Sequence, residues 1–230
     1  MSRLKWLLLA PVVLIVFAVG GTWLYINVIR EDPPERLSLE DASSDTSDAP
    51  DDDGASTEVE GEWAIGAGSI AGYRADEVRL GQSLEAVGRT EDVTGTMTIS
   101  GTTVEEASFE VDLTTLESDE SLRDGQVQGR ILETGQFPTA TFELTEPLDL
   151  GEVPADGEPV SVEATGDFTI HGVTQSVTFT IDAQVDGDTI AANGLVAMTW
   201  ADFGIGDPSG GPNQVEAEGE MEFLLVFEQA

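Results

Sequence analysis

Gly166-Asp167-Phe168-Thr169-Ile170-His171-Gly172-Val173-Thr174 holds the only histidine of the chain and joins two alternating segments. Before it, Val160, Val162, Ala164, Phe168 and Ile170 occupy even positions; after it, Val177, Phe179, Ile181, Ala183 and Val185 occupy odd ones. Period-two alternation is the pattern of a half-buried strand, so the stretch predicts a hairpin that turns at His171-Gly172-Val173-Thr174. Glycine there accepts positive φ, and short polar neighbours favour the reversal.

The same pattern spreads outward. Trp63 and Ile65 open a strand-like run that continues from Ser69 to Arg74. Val93, Gly95, Met97 and Ile99 alternate with threonines, as do Phe109, Val111 and Leu113 with polar residues. Further strands are predicted at 140–144, 160–170, 176–185, 189–200 and 215–227, with Asp186-Gly187-Asp188 as a hairpin signal. About eight strands with turns between them predict an all-β domain, a closed antiparallel barrel or a sandwich. Alternation fails from Ser118 to Gln136, where Leu122, Val127, Ile131 and Leu132 are spaced as in a short helix. Ser118 or Asp119 is placed to cap its start, and Gly135 with Phe137-Pro138 to end it, so a helical lid or plug is expected.

The N-terminal region differs in kind. Trp6 to Ile29 is almost wholly apolar, long enough to cross a bilayer as one helix. Arg3 and Lys5 precede it, which places the N-terminus in the cytoplasm and the rest of the chain outside. A cleaved signal peptide ending at Ala18-Val19-Gly20 is the competing reading. Residues 31–61 are rich in Asp, Glu, Ser and Pro and read as a disordered acidic linker. The expected organisation is therefore a transmembrane anchor at 1–30, the linker at 31–61 and a barrel domain at 62–230, in a single-pass protein of the cell membrane.

Composition narrows the partners. There are 45 acidic residues against nine basic ones, a formal net charge of −36, which argues against nucleic acid because phosphate binding needs clustered cations. With no cysteine and one histidine, neither a disulfide frame nor a zinc or copper centre is expected, and no cofactor is indicated. Gly66-Ala67-Gly68-Ser69-Ile70-Ala71 has the spacing of a dinucleotide loop, but no strand precedes it and no helix follows, so loop glycines are the better account. No Gly-x-Ser-x-Gly elbow accompanies His171, and a lone histidine in a tight turn is more often held by turn hydrogen bonds than used for proton transfer. Of the five arginines in the domain, Arg123 is the best candidate for a ligand's polar or phosphate head, with Asp124 beside it to fix its orientation; surface ion pairs are the plainer reading of the set. The inward strand positions Phe109, Val111, Phe142, Phe168, Ile170, Phe179, Trp200, Met221 and Phe223 are expected either to fill a core or to line an apolar cavity.

Five ordered motifs resemble one family. Trp63 with Ser69, Val93-Thr94-Gly95, Ser118-Asp119 through Arg123-Asp124, Phe137-Pro138-Thr139-Ala140-Thr141-Phe142 and Gly166 to Phe179 are similar to the successive signatures of the YceI-like exported lipid-binding barrels, over residues 62–228. The resemblance implies a lipocalin-like barrel, no catalytic constellation, and an elongated cavity that in some members holds a polyisoprenoid. The expected function is thus a membrane-tethered, extracytoplasmic binding protein that carries or sequesters an isoprenoid-type lipid, with His171, Arg123 and Asp124 at the cavity mouth. A filled barrel serving as an interaction module of the cell envelope is the alternative, and a hydrolase or isomerase using His171 a weaker one.

Overall fold

The computed structural model describes Gly20 and residues 33–43, 59–151 and 157–230. The strands are β1 (Gly61–Ile65), β2 (Ile70–Arg79), β3 (Gln82–Thr90), β4 (Val93–Ser100), β5 (Thr103–Asp112), β6 (Glu117–Ser118), β7 (Thr139–Leu144), β8 (Leu148–Asp149), β9 (Val160–Ile170), β10 (Val173–Asp186), β11 (Thr189–Thr199), β12 (Asn213–Val215) and β13 (Glu218–Gln229). Two short helices accompany them, α1 (Leu39–Ser43) and α2 (Ser121–Gln126), the second running into a π-helical turn at Val127–Ile131.

Eight strands close on themselves in the order β1-β4-β5-β7-β9-β10-β11-β13, because β13 also pairs with β1. Every pairing is antiparallel, and closure leaves no unpaired edge in that circuit. β13 is shared: Phe227 to Gln229 pair with β1, whereas Glu220 to Leu224 pair with β2. β2 and β3 thereby extend the wall at one end, and β3 is continued by β6. The expected antiparallel barrel of eight strands with a short helical insertion is present.

The hairpin β9–β10 joins Ile170 to Val173 through a two-residue loop, two residues shorter than the four-residue turn read from the sequence. Both loop residues have positive φ, His171 at 53° and Gly172 at 73°, the conformation that matches the strand twist. Even positions of β9 and odd positions of β10 face inward as the alternation predicts, with Ala164, Phe168, Ile170, Phe179 and Val185 buried. One core runs through the barrel from Trp63 and Val59 to Phe203 and Ile205.

Three expectations are corrected. The helical insertion begins at Ser121, not at Ser118; its N-cap, Glu120, makes no side-chain cap bond, and Leu122 is 81% exposed instead of packed in an apolar stripe. Ser118, at the end of β6, donates its amide and hydroxyl to Asp124 within the helix, which engages the residue expected to cap it. The transmembrane helix is not carried forward: among the described residues no helix is long and apolar enough to cross a membrane, and the 6–29 stretch on which it was placed lies, Gly20 apart, outside those residues. The expected membrane partner and single-pass location rested on that helix and are withdrawn with it. The linker is corrected in its described part. Glu35 to Ser43 belongs to the same compact unit as the barrel, Glu35–Ala230, and Leu37 is buried against the outer wall.

Candidate functional site

The barrel interior is divided at its waist. Phe109, Phe142, Phe179 and Phe223 come from β5, β7, β10 and β13, and their rings form a closed cycle with centroid separations of 5.4, 5.3, 5.8 and 5.4 Å. Such edge and offset contacts add to the burial of each ring. Two glycines on neighbouring strands make room for the cycle: a Cβ on Gly166 would stand 2.4 Å from the Phe142 ring, and one on Gly194 would stand 2.7 Å from Phe223. The waist is thus packed with four aromatic rings.

On one side, toward the β4–β5 and β10–β11 turns, lies a cavity of ≈ 90 Å³ walled by Met97, Ile99, Val104, Leu148, Ile190 and Phe227 with the four rings as its floor. Its wall is almost entirely apolar. The other side is capped by α2 and its following turn, and holds a cavity of ≈ 150 Å³ bounded by Ala75, Ala86, Val127, Leu132, Trp200 and Met221. Tyr73, Glu77, Arg79 and Arg123 bring polar groups to this second cavity. A smaller void of ≈ 20 Å³ touches Val111, Phe168 and three of the waist rings, Phe109, Phe142 and Phe223.

β2 explains the polar groups. Its inward face carries Tyr73, Ala75 and Glu77 at alternate positions, so a carboxylate and a phenol enter the barrel on either side of one small residue. Tyr73 is 7% exposed and Glu77 4%. Arg123 Nη2 lies 3.5 Å from Glu77 Oε1, and Asn213 Nδ2 donates to Glu77 Oε2 at 3.4 Å. The Tyr73 phenol is pushed well up from its ordinary value by burial, with Arg123 opposing, so it stays a neutral donor. Burial works against the charge of Arg123, but its bond to Asp119 and the nearby Glu77 outweigh this and raise its pKa.

The residues singled out from the sequence fall into three groups. Phe109, Phe142, Phe179 and Phe223 meet, as the waist plug. Phe168 packs instead on Phe203 at 5.4 Å, Ile170 is wholly buried, and Trp200 donates through Nε1 to the Glu216 carbonyl at 3.0 Å while its ring, with Met221, walls the second cavity. Arg123 reaches that cavity, but Nη1 is engaged by Asp119 and, at 3.3 Å, by the Ser118 hydroxyl, and Nη2 faces Glu77. Asp124 does not orient it; its Oδ1 accepts from the Ser118 amide at 2.9 Å. His171 is held away from the cavity by Glu133, Nε2 to Oε2 at 3.0 Å, and by the Phe137 ring at 4.7 Å. Tyr73 and Glu77 were missed. Tyr73 lies within the strand read from the sequence, and continuing its alternation beyond Arg74, to the true end of β2 at Arg79, is the signal that finds Glu77. Among the described residues, no group of three or more His, Asp or Glu is placed to hold a metal ion.

Comparison with known proteins follows this geometry. A family model described as a YceI-like domain matches residues 63–227. A UPF0312 protein of Vibrio vulnificus is 33% identical over 102 residues, which cover 41% of this chain and 50% of that protein. A UPF0312 protein of Pseudomonas paraeruginosa is 34% identical over 124 residues, 51% and 56% of the two chains. The chain spans about half the length of these curated relatives. Among solved structures, a polyisoprenoid binding domain from Saccharophagus degradans implicated in plant cell wall breakdown superposes with a TM-score of 0.61 at 18% identity, covering 73% of this chain and 98% of that one. Burkholderia cenocepacia BcnA gives a TM-score of 0.52 at 20% identity, covering 68% and 95%. At these identities the two structures show a shared fold. By the match that runs from the first barrel strand to the last, this chain belongs to the YceI-like family.

Proposed function

We propose that the chain is a ligand-binding barrel without catalytic activity, and that the apolar end of its interior receives a short apolar group. The observation that carries this is the cavity of ≈ 90 Å³ whose wall is almost wholly aliphatic and aromatic. Apolar cavities of about this scale stay dry and take up small hydrocarbons, since nothing in the wall can bond water. The fold shared with a polyisoprenoid binding domain supports an apolar ligand. The expectation of a membrane-tethered carrier is corrected in its anchor: no membrane-crossing helix is found among the described residues. Pockets for larger ligands are typically about 300–1,000 Å³.

The plug favours a second reading, in which the barrel is a filled interaction module. Uptake of n-hexane and benzene by the purified full chain, followed by NMR, separates the two. Saturable uptake that an Ile99→Trp substitution abolishes supports the ligand reading, because the indole fills the cavity. No uptake of either hydrocarbon, together with no apolar compound recovered by organic extraction, overturns it in favour of the filled module.

A further inference from the structure

The outer wall of the barrel carries a set of contacts separate from the interior. Residues 35–38 lie on side chains of β2, β3, β11 and β13, and most of the bonds that hold them are to main-chain groups. Arg74 Nη2 donates to the Glu35 carbonyl at 2.7 Å, and Arg89 Nη2 donates to the same oxygen. The Leu37 amide donates to Glu222 Oε2 at 3.4 Å, and Asn193 Nδ2 donates to the Leu37 carbonyl at 3.2 Å. Two side chains add selectivity: Arg36 pairs with Glu220 at 2.7 Å, and Leu37 is buried. On the outward faces of β3, β11 and β13, Val87, Ala191 and Leu224 are buried too, without belonging to the barrel core. A sheet that recognises an extended peptide works in this way, bonding the backbone for affinity and choosing a few side chains for specificity.

The chain's own segment fills this face incompletely. After Ser38 it turns into α1, with the Ser38 amide and hydroxyl bonded to Asp41 and the Asp41 amide to the Ser38 carbonyl. Asn193 Oδ1, on the carboxamide that holds the Leu37 carbonyl, is buried and has no hydrogen bond. In an extended strand the amide two residues beyond a carbonyl points the same way as that carbonyl, so a ligand that stayed extended would offer Oδ1 its missing donor. The resident helix turns that amide away. Charge fixes the other preference. The bond to Glu220 raises the Arg36 pKa, and Glu85 and Glu222 add attraction. On a chain of net charge −36, such a face draws in a basic ligand and repels an acidic one.

We infer that this face is a binding site for an extended peptide segment of another protein, presenting a basic residue followed by leucine or a similar aliphatic residue, and that residues 35–38 occupy it as a built-in competitor. Such a ligand keeps the contacts of the resident segment and adds the one that Asn193 lacks. The site is on the outside of the barrel and stands independently of the function proposed for its interior.

The test follows the fluorescence anisotropy of labelled peptides titrated with the purified full chain. One peptide has the sequence of residues 35–43; a second carries Arg36→Glu; a third carries Asp41→Pro, which removes the amide that closes α1 and keeps the peptide extended. In the chain, Leu37→Asp displaces the resident segment. The natural peptide is expected to bind this variant about tenfold or more tightly than the parent, and the Arg36→Glu peptide about tenfold more weakly than the natural one. The Asp41→Pro peptide is expected to bind about threefold or more tightly than the natural peptide, an advantage that Asn193→Ala in the chain removes. No saturable binding to the Leu37→Asp chain, equal affinity for parent and variant, or an Arg36→Glu peptide that binds as tightly as the natural one would overturn the proposal. So would an Asp41→Pro peptide that gains nothing, which would make the face a seat for this chain's own helical segment, in the same copy or a second one. Glu220→Arg, at a partly exposed position, tests the site without altering Leu37: it is expected to reverse the order of the natural and Arg36→Glu peptides, and an unchanged order would also overturn the proposal.

Discussion

Two carboxylates are buried in neighbouring wall strands, Glu222 on β13 facing outward and Glu77 on β2 facing inward, and their surroundings differ. Glu222 is 2% exposed and both its oxygens are bonded: Arg74 Nε reaches Oε2 at 2.7 Å and Arg89 Nε reaches Oε1 at 2.8 Å. The same two arginines also donate to the Glu35 carbonyl, and Leu37 lies over the group. Glu77 has one oxygen accepting from Asn213 and the other facing Arg123 Nη2 at 3.5 Å without a hydrogen bond, beside a phenol that has no hydrogen-bond partner. Glu222 is closed off on every side by its own network. Glu77 keeps a looser pairing and a cavity beside it. The contrast separates a closed ion network from an open one.

The sharpest way to break the contrast is to remove Glu222. Glu222→Ala removes the buried carboxylate shared by Arg74 and Arg89, leaving Arg74 to Glu85 at 2.8 Å, and is expected to cost about 3 kcal/mol, since a buried charge loses part of its pairing. Urea denaturation measures this as a lower midpoint, and an unchanged midpoint would show the network to be idle. Next in size is the segment that covers it. Leu37→Ala is expected to cost about 2 kcal/mol and to speed hydrogen exchange at the Leu37 amide, which now points to Glu222. Unaltered exchange would mean that Glu35 to Ser43 contributes nothing to closing the network.

These two carboxylates also mark how far the sequence could be read. The barrel was legible because alternation and turn residues are local: Val160 to Val185 announces both strands and the hairpin, and the family motifs are contiguous. Whether the barrel is hollow was not, because Phe109, Phe142, Phe179 and Phe223 alternate identically in either case and only their mutual packing closes the waist. The docked segment was illegible for a related reason. Its acidic, serine-rich composition predicts disorder, but Leu37 and the backbone carbonyls of Glu35 and Leu37 find partners on β2, β3, β11 and β13, far away in sequence. Arg74 and Arg89 read as surface ion pairs because nothing near them in sequence shows that their partner is Glu222.

An exposed carboxylate calibrates the buried ones. Asp112 accepts from the Thr114 hydroxyl at 2.6 Å and its amide at 2.8 Å, capping the short 3-10 turn at Leu113–Thr115. Those bonds hold its carboxyl below the ordinary value. A group depressed in the folded state contributes stability that is complete above its ordinary value and fades as pH falls through the folded one. Asp112→Ala is therefore expected to cost about 0.5–1 kcal/mol at neutral pH. Thermal midpoints of variant and parent should converge in acid; a gap that stays constant with pH would assign the loss to something other than the carboxylate.

The smallest effect bears most directly on the difference between the two carboxylates, and its sign is opposite to the rest. Tyr73→Phe deletes an oxygen that has no partner, keeps the ring that packs in the core, and leaves every hydrogen bond of the barrel in place. Burying an unbonded hydroxyl is unfavourable, so its removal is expected to stabilise the unliganded chain by about 0.5–1 kcal/mol. A lower thermal midpoint in the variant would show instead that the hydroxyl has a partner in solution. A raised midpoint is therefore the signature of an atom the fold leaves unpaired, at a position where packing alone favours phenylalanine.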